Sequence, residues 1–175
     1  VWHTQLHFTS DKRYGGGIVF GHNSNGIELS NLYMDSNLTS RYNEDAQYKA
    51  ISGTLGKDSK IHDIWVQHFE VGMWIGDYDQ TGNMKYTDGL VVENARIRNN
   101  LADGINFAQG TKNSTVKNSN IRGNGDDGLA IWSSISDGTN AAAEENNKFL
   151  NNTIESGWRA AGIGIFGGKG HEISE

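Results

Sequence analysis

Short apolar segments alternate with polar bends along this chain, and from Lys49 onward they recur in one frame. Three segments share an apolar residue, an Asn two positions later and an Ile three positions after that, and they begin at Val92, Val116 and Phe149. The first two copies are 24 residues apart and the next step is 33. A repeat of this length is typical of a solenoid, in which each repeat buries its apolar face against its neighbours.

Each copy then passes through a polar bend to a glycine that is followed by an alternating apolar run. The glycines are Gly104, Gly128 and Gly162, and Gly72 fits the same slot one turn earlier. Alternation of apolar and polar residues predicts short strands with one face in the core. The longer second step is explained by a polar and Ala-rich insert, Ser133 to Glu145.

These features predict an all-β chain folded as a right-handed parallel β-helix, a single-stranded solenoid of the pectin-lyase-like type. The aligned Asn94, Asn118 and Asn151 are expected to hydrogen-bond up the stack as a ladder. A β-sandwich also has short, closely spaced strands. It is less favoured, because a sandwich does not require the same residue type at the same offset in successive segments.

At 175 residues the chain is predicted to be one domain, residues 1–175. Residues 1–47 are the least regular part and residues 48–175 form the regular coils. Because the C-terminal residues begin what looks like a further coil, we expect a fragment of a longer β-helix. In the irregular part we predict strands at Trp2–Phe8, Gly17–Phe20 and Gly26–Met34, and a loop at Asp35–Gln47.

Composition narrows the classes of function. The chain has 23 Gly and no Pro, which suits stacked strands whose backbone N–H groups all donate to a neighbour. The formal charge of -6 disfavours nucleic acid as a partner, and no apolar run is long enough to span a membrane. With no Cys, disulfides and thiolate zinc sites are excluded. The chain opens Val-Trp-His without a signal-peptide pattern.

The stretch from Leu101 to Trp132 holds the candidate chemistry. Superimposing its two Asp-Gly copies aligns Asp103 with Asp127 and leaves Asp126 as an additional acid. Aligned positions on adjacent coils lie about 4.8 Å apart. Two carboxylates at that distance repel by roughly 3–4 kcal/mol, a coupling of about 2.5 pKa units. Because Val71 and Ala161 occupy the same slot on the flanking coils, the acids are not a general solubility feature.

Three gathered carboxylates suit glycoside hydrolysis, which needs a protonated acid and an ionised group that activates water or attacks carbon. We predict that Asp103 and Asp127 polarise a water. Asp126 is the predicted proton donor, because two adjacent negative charges raise its proton affinity. Asp126 and Asp127 can share one cleft only if residues 125–128 form a bend, since strand neighbours point to opposite faces.

Two other interpretations of the acids are open. Asp-Gly is a common turn dipeptide, so the pattern could be a pair of polar turns. Clustered carboxylates also bind calcium, although the ligand positions of a calcium loop are not evident in this sequence. We therefore predict no metal and no cofactor.

At these residues the sequence resembles glycoside hydrolase family 87 (GH87), the bacterial α-1,3-glucanases or mutanases. The resemblance runs from about Val71 to Gly168, and its specific pieces are Ala102–Phe107, Gly125–Ser133 and Ala160–Gly168. It implies a β-helix that cleaves α-1,3-glucan with inversion, using Asp103, Asp126 and Asp127. It also implies a secreted bacterial enzyme whose catalytic unit is larger than this chain.

Trp132, Trp158 and Arg159 are the candidate substrate-binding residues, because indole faces stack on sugars and a guanidinium bonds hydroxyls. The predicted function is an endo-acting, inverting α-1,3-glucan hydrolase whose partner is its polysaccharide. The alternatives are a β-helix hydrolase of nigeran, dextran or polygalacturonan, a polysaccharide lyase, and a non-catalytic carbohydrate-binding β-helix. The oligomeric state is left open.

Overall fold

The computed structural model describes residues 4–9, 14–37, 47–76, 86–133 and 142–175. These residues contain no helix, and therefore none that is long and apolar enough to cross a membrane. Their strands are β1 Thr4–Phe8, β2 Tyr14–Ser24, β3 Glu28–Ser30, β4 Leu32–Ser36, β5 Gln47–Leu55, β6 Lys60–His62, β7 Trp65–Gln67, β8 Val71–Ile75, β9 Val91–Glu93, β10 Arg96–Arg98, β11 Ile105–Ala108, β12 Thr115–Lys117, β13 Asn120–Arg122, β14 Leu129–Trp132, β15 Lys148–Leu150, β16 Thr153–Glu155, β17 Ile163–Phe166 and β18 Glu172–Ser174.

The strands form three parallel sheets of six, and each coil contributes one strand to each sheet. Sheet 1 has the order β1-β4-β7-β10-β13-β16, sheet 2 the order β2-β5-β8-β11-β14-β17 and sheet 3 the order β3-β6-β9-β12-β15-β18. The predicted right-handed parallel β-helix is therefore confirmed. A β-sandwich is excluded for the described strands, because every pair of them is parallel.

The register follows the frame that the repeat predicts. In sheet 2, Ile105 pairs with Met73 on one side and with Leu129 on the other, and Leu129 pairs with Ile163. The residue before each of these is one of the four predicted glycines. A Cβ at Gly104 would clash with the carbonyl oxygen of Gly128 on the next coil, so this position needs glycine.

Regular stacking of the strands begins before residue 48, where the sequence predicted that the regular coils start. Strands β1–β4 each pair in register with a strand of the following coil, with one irregularity between Phe20 and Ser24. The predicted loop starts later than expected, since Asp35 and Ser36 end β4. Residues 38–46 of that loop, residues 134–141 of the insert and the predicted strand start at Trp2 lie outside the described residues.

The core consists of inward-facing aliphatic columns, one from each sheet. Sheet 1 stacks Val66, Ile97 and Ile121, and each is fully buried. Sheets 2 and 3 supply matching columns, and Phe107 packs against Phe149 across the interior with ring centroids 5.8 Å apart. Because each coil is too thin to bury these side chains alone, stacking creates the core.

The predicted Asn ladder is wrong in its mechanism, although the alignment is right. Asn94, Asn118 and Asn151 occupy one column, but each has a left-handed backbone with φ of 51–53°. Asn tolerates this conformation better than most residues, so the column forms a corner between sheets. The amides of Asn94 and Asn118 donate to the carboxylates of Asp63 and Glu93 instead of to each other.

Buried amides do bond each other at Asn100 and Asn124, which directly follow the corner residues Asn99 and Gly123. Asn100 donates through Nδ2 to Oδ1 of Asn124 at 2.9 Å, and its backbone N–H bonds the same oxygen at 3.1 Å. Asn100 in turn accepts the backbone N–H of Phe69. These bonds satisfy buried backbone donors where the chain turns towards sheet 2, and so they hold the bend that precedes the acids.

Candidate active site

The structure brings the three predicted acids together at the start of two adjacent strands of sheet 2. Asp103 and Asp127 lie two residues before Ile105 and Leu129, which pair directly. Asp103, Asp126 and Asp127 each place a carboxylate oxygen within 4.8 Å of those of the other two. The repeat therefore converges the carboxylates as its alignment predicts.

The additional acid reaches the same cleft because the chain bends there. Residues 125 and 126 form the bend, and both of their backbone N–H groups donate to the carbonyl oxygen of Ala102 at 3.2 Å. The bend turns Asp126 towards Asp127, whereas two successive residues of a regular strand would point to opposite faces. The sequence-based condition for a shared cleft is thus confirmed.

Asp103 is buried and held from two sides. Only 8% of its surface is exposed. Its Oδ2 accepts a hydrogen bond from Nδ2 of Asn106 at 2.8 Å, and its Oδ1 accepts the backbone N–H of Asp127 at 3.2 Å. Burial raises the pKa of Asp103 to about 6, the bond from Asn106 opposes this rise, and the charges of Asp126 and Asp127 add to it.

Asp127 is also buried, with 6% of its surface exposed. Its Oδ1 accepts the backbone N–H of Ala161 at 2.9 Å. Burial raises the pKa of Asp127, the bond from Ala161 lowers it, and the charge of Asp126 raises it. On the next coil, a Cβ at Gly164 would lie 2.5 Å from Oδ2 of Asp127, so this glycine leaves room for the carboxylate.

Asp126 has a different environment, since 47% of its side chain is exposed. The guanidinium of Arg159 lies 3.8 Å from its Oδ2. Arg159 is fixed in place, because its Nε donates to the carbonyl oxygen of Gly125 at 3.1 Å and its Nη2 to that of Leu101 at 3.3 Å. From the sequence we expected the raised proton affinity at Asp126. In the structure it is Asp103 and Asp127 that are buried, and burial raises the pKa of each.

The acids form one wall of an open cleft of about 340 Å³. Its aromatic wall consists of Trp74 and Trp132, whose rings meet edge to face with centroids 5.6 Å apart, and of Phe166, which is 53% exposed. The cleft is lined by Trp74, Asp103, Asn106, Asp126, Asp127, Trp132 and Phe166. Large apolar faces beside a few polar groups are typical of carbohydrate sites.

The other two candidate binding residues lie on the bend of the next coil. Trp158 is half-exposed, and the Arg159 guanidinium lies 5.2 Å from the centroid of its ring. Trp132 therefore lines the cleft itself, while Trp158 and Arg159 lie beside it next to Asp126. Their contacts with substrate stay a prediction.

Sequence reasoning missed three residues that line the cleft. Asn106, Trp74 and Phe166 face outward on sheet 2. Alternation marks Asn106 as outward, because Ile105 and Phe107 on either side of it are buried. A polar residue at an outward position just after an acid is the signal that could have identified it.

The three acids are also the group in the described part of the chain that is best placed to hold a cation. Calcium prefers six to eight oxygen ligands. The side chains aligned with Asp103 and Asp127 on the flanking coils are Val71 and Ala161, which offer no oxygen ligand. This composition favours hydrolytic chemistry over a calcium site.

Comparison with known proteins gives one family and several solved folds. A family model described as "Alpha-1,3-glucanase catalytic domain D2" matches residues 1–175. The crystal structure of the Agl-KA catalytic domain is similar to this chain, with 55% sequence identity and a TM-score of 0.90 over 98% of this chain and 29% of that chain. No curated protein matches the chain.

Two further solved structures share the fold. One is the catalytic domain of a GH87 α-1,3-glucanase variant in complex with tetrasaccharides, with 20% identity, a TM-score of 0.63 and coverage of 99% of this chain and 29% of that chain. The other is such a domain in complex with nigerose, with 21% identity, a TM-score of 0.66 and coverage of 97% and 28%. The chain thus spans less than a third of each solved chain it matches.

Proposed function

Because this chain belongs to the α-1,3-glucanase catalytic domain D2 family, we propose that it carries the catalytic acids of an endo-acting, inverting α-1,3-glucan hydrolase. The observation that supports this most is the convergence of three carboxylates, within 4.8 Å of one another, in an aromatic-lined cleft. A single pair of polar turns would not need two buried carboxylates beside each other, since burying like charges together is costly.

Asp126 is the proposed proton donor. Its side chain is half-exposed, so it can reach the glycosidic oxygen of a polymer that lies in the open cleft. Arg159, fixed by the two backbone carbonyl groups, orients this carboxyl group and the bend that carries it. In the reaction the proton of Asp126 passes to the leaving oxygen as the bond from C1 to that oxygen breaks.

Asp103 and Asp127 are the proposed water-activating pair. Both are buried, and each is oriented by a backbone N–H donor. The water oxygen forms the new bond to C1 from the opposite face of the sugar, and the pair takes the proton that this water loses. One of the two must therefore be ionised before attack, and we propose that it is Asp103. The proton then returns to Asp126 through solvent, which resets the site.

Retention is a second candidate outcome, because retaining glycosidases place their two carboxyl groups only about 5–5.5 Å apart. The nearest oxygens of the three acids lie within 4.8 Å. We favour inversion, since carboxylates that are buried and hold backbone N–H groups are better suited to bind a water than to bond directly to C1. Proton NMR of early products separates the two, as inversion releases the β-anomer first and retention the α-anomer.

The function is tested by measuring new reducing ends from insoluble α-1,3-glucan with the intact protein. We expect Asp126→Asn to abolish this release. Asp58→Asn is the matched control, because Asp58 is exposed at a corner whose column also contains Asn113 and Asn146 in later coils. Full activity of Asp126→Asn would refute the acid assignment.

The same assay separates the other candidate functions. Nigeran, dextran and polygalacturonan are tested beside α-1,3-glucan, and unsaturated products would indicate a lyase. Binding of glucan without release of reducing ends would support a carbohydrate-binding β-helix instead. We further propose that the protein is secreted, since a polymeric substrate of this kind is met outside the cell.

A further inference from the structure

A second pair of charged residues occupies the coil positions of the acids two coils nearer the N-terminus. The register of β5, β8 and β11 aligns Lys49 with Val71 and with Asp103. By the same register Glu70 falls in the column of Asp126. At about 4.8 Å per coil, Lys49 lies about 10 Å from Asp103 along the stack, and Glu70 lies one coil nearer.

The pair is in contact with the wall of the cleft. Nζ of Lys49 lies 2.9 Å from Oε2 of Glu70, and both side chains are about one-fifth exposed, at 23% and 19%. The same ammonium lies 5.6 Å from the centroid of the Trp74 ring. Since Trp74 lines the cleft and meets Trp132 edge to face, the charged pair continues the cleft wall beyond the acids.

A cation–indole pair therefore lies on each side of the acids along the stack. On the C-terminal side, the Arg159 guanidinium lies 5.2 Å from the centroid of the Trp158 ring. On the N-terminal side, the Lys49 ammonium lies over Trp74. A cation held at an indole ring on each side of the acids suits a linear substrate that is bound on both sides of the scissile bond.

We propose that Lys49, Glu70 and Trp74 form a sugar-binding subsite for a glucosyl residue on the N-terminal side of the acids. The inference rests on the proposed function. An ion pair with no net charge suits a neutral sugar, because it does not demand a charged ligand. The ammonium has three donors and the carboxylate has several acceptor positions, of which their mutual bond uses one each. The indole supplies an apolar surface for the sugar ring.

The Lys49 end of the subsite lies two coils, about 10 Å, from Asp103, farther than the sugar at the scissile bond reaches, so the effect of the ion pair must depend on substrate length. The probes are α-1,3-linked gluco-oligosaccharides from the disaccharide to the octasaccharide, tested with the intact protein. In Lys49→Met and Glu70→Gln we expect kcat/KM to fall about 10- to 100-fold on the longest oligosaccharides, as for a lost hydrogen bond to a charged group. On the shortest cleaved oligosaccharide we expect no change.

Lys60→Met is the matched control, because Lys60 forms a comparable ion pair with Glu93 at 3.0 Å on sheet 3. It should leave the dependence on length unchanged. Isothermal titration of the octasaccharide into Asp126→Asn, with and without Glu70→Gln, measures the subsite without turnover. Since Glu70→Gln keeps the shape of the side chain, it is expected to fold, and a thermal melt monitored by circular dichroism checks each variant.

The outcomes separate this inference from the function it rests on. Unchanged length dependence and unchanged octasaccharide affinity in both variants, with active wild-type protein, would overturn the subsite alone. A uniform loss on every oligosaccharide would also overturn it, because that result indicates a structural ion pair. Wild-type protein that neither binds nor cleaves any α-1,3-linked oligosaccharide would overturn the proposed function as well.

Discussion

Replacing Asp103 with Asn should stabilise the protein at neutral pH while it abolishes activity. The wild-type side chain is buried, and burial raises its pKa to about 6 from an unperturbed 3.8. The folded state therefore binds a proton more tightly than the unfolded state between these two values. As the pH rises through this window the free energy of unfolding falls, and above pH 6 the whole cost of the buried charge is present.

The magnitude follows from the size of the shift. A difference of about two pKa units corresponds to roughly 3 kcal/mol of lost stability above pH 6. Asn is neutral at every pH and escapes this cost. It also keeps both hydrogen bonds if the amide of Asn106 turns, because Oδ1 of Asn106 is buried and lacks a hydrogen-bond partner among the described residues. We expect a gain of about 1–3 kcal/mol at pH 7.5.

Urea denaturation of wild type and Asp103→Asn between pH 4 and pH 8 tests this prediction. The difference in stability should be small near pH 4 and should grow as the pH rises to about 6. Asp58→Asn, at an exposed corner, should show no such growth. A difference that is constant over this range, or an Asp103→Asn protein that is less stable than wild type at pH 7.5, would show that the buried charge of Asp103 does not destabilise the fold.

Three further predictions follow from the same site. Gly164→Ala places a Cβ 2.5 Å from both Oδ2 of Asp127 and the ring of Phe166, and by displacing these two cleft groups it should lower kcat about 10- to 100-fold. Gly162→Ala meets its nearest neighbour at 3.6 Å and should leave kcat unchanged. The pH profile of kcat/KM should lose activity below about pH 6, because Asp103 must be ionised to accept a proton from water; a profile that is flat from pH 4 to 7 contradicts this role. Asn124→Ala leaves a buried backbone N–H without its acceptor and should lower the free energy of unfolding by about 2–3 kcal/mol in urea titrations; a change under about 0.5 kcal/mol would show that the amide of Asn124 does not hold the bend.

The acids could be found from the sequence because a repeat converts sequence offset into spatial adjacency. Once Gly104 and Gly128 are aligned, parallel pairing places Asp103 and Asp127 on neighbouring strands. For Asp126 the sequence supplied only a condition, a bend over residues 125–128, and the structure contains that bend. What the sequence did not reveal was burial: Asp103 and Asp127 are buried, which raises the pKa of each, and Asp126 is half-exposed.

The aligned Asn residues show a similar limit on what the sequence predicts about the fold. Their equal spacing predicts one column correctly, but not which backbone conformation that column adopts. Asn94 and Asn118 are corner residues with φ near 51°, while the amides that bond each other are those of Asn100 and Asn124. Spacing identifies aligned positions, and only the dihedral angles show whether a side chain turns inward to bond its counterpart or stays at a corner.

The parallel stacking, the register of the regular coils and the column that holds Asp103 and Asp127 could all be predicted from the sequence alone. These features follow from the length of the repeat and from the alternation of apolar and polar residues, because both determine how one copy stacks on the next. The neighbours of that column are seen only in the folded structure: Asn106 bonds Asp103, Arg159 lies beside Asp126, and the Lys49–Glu70 pair lies at the end of the aromatic wall. Such lateral contacts depend on how each bend and corner directs its side chains, and a one-dimensional repeat does not contain that geometry.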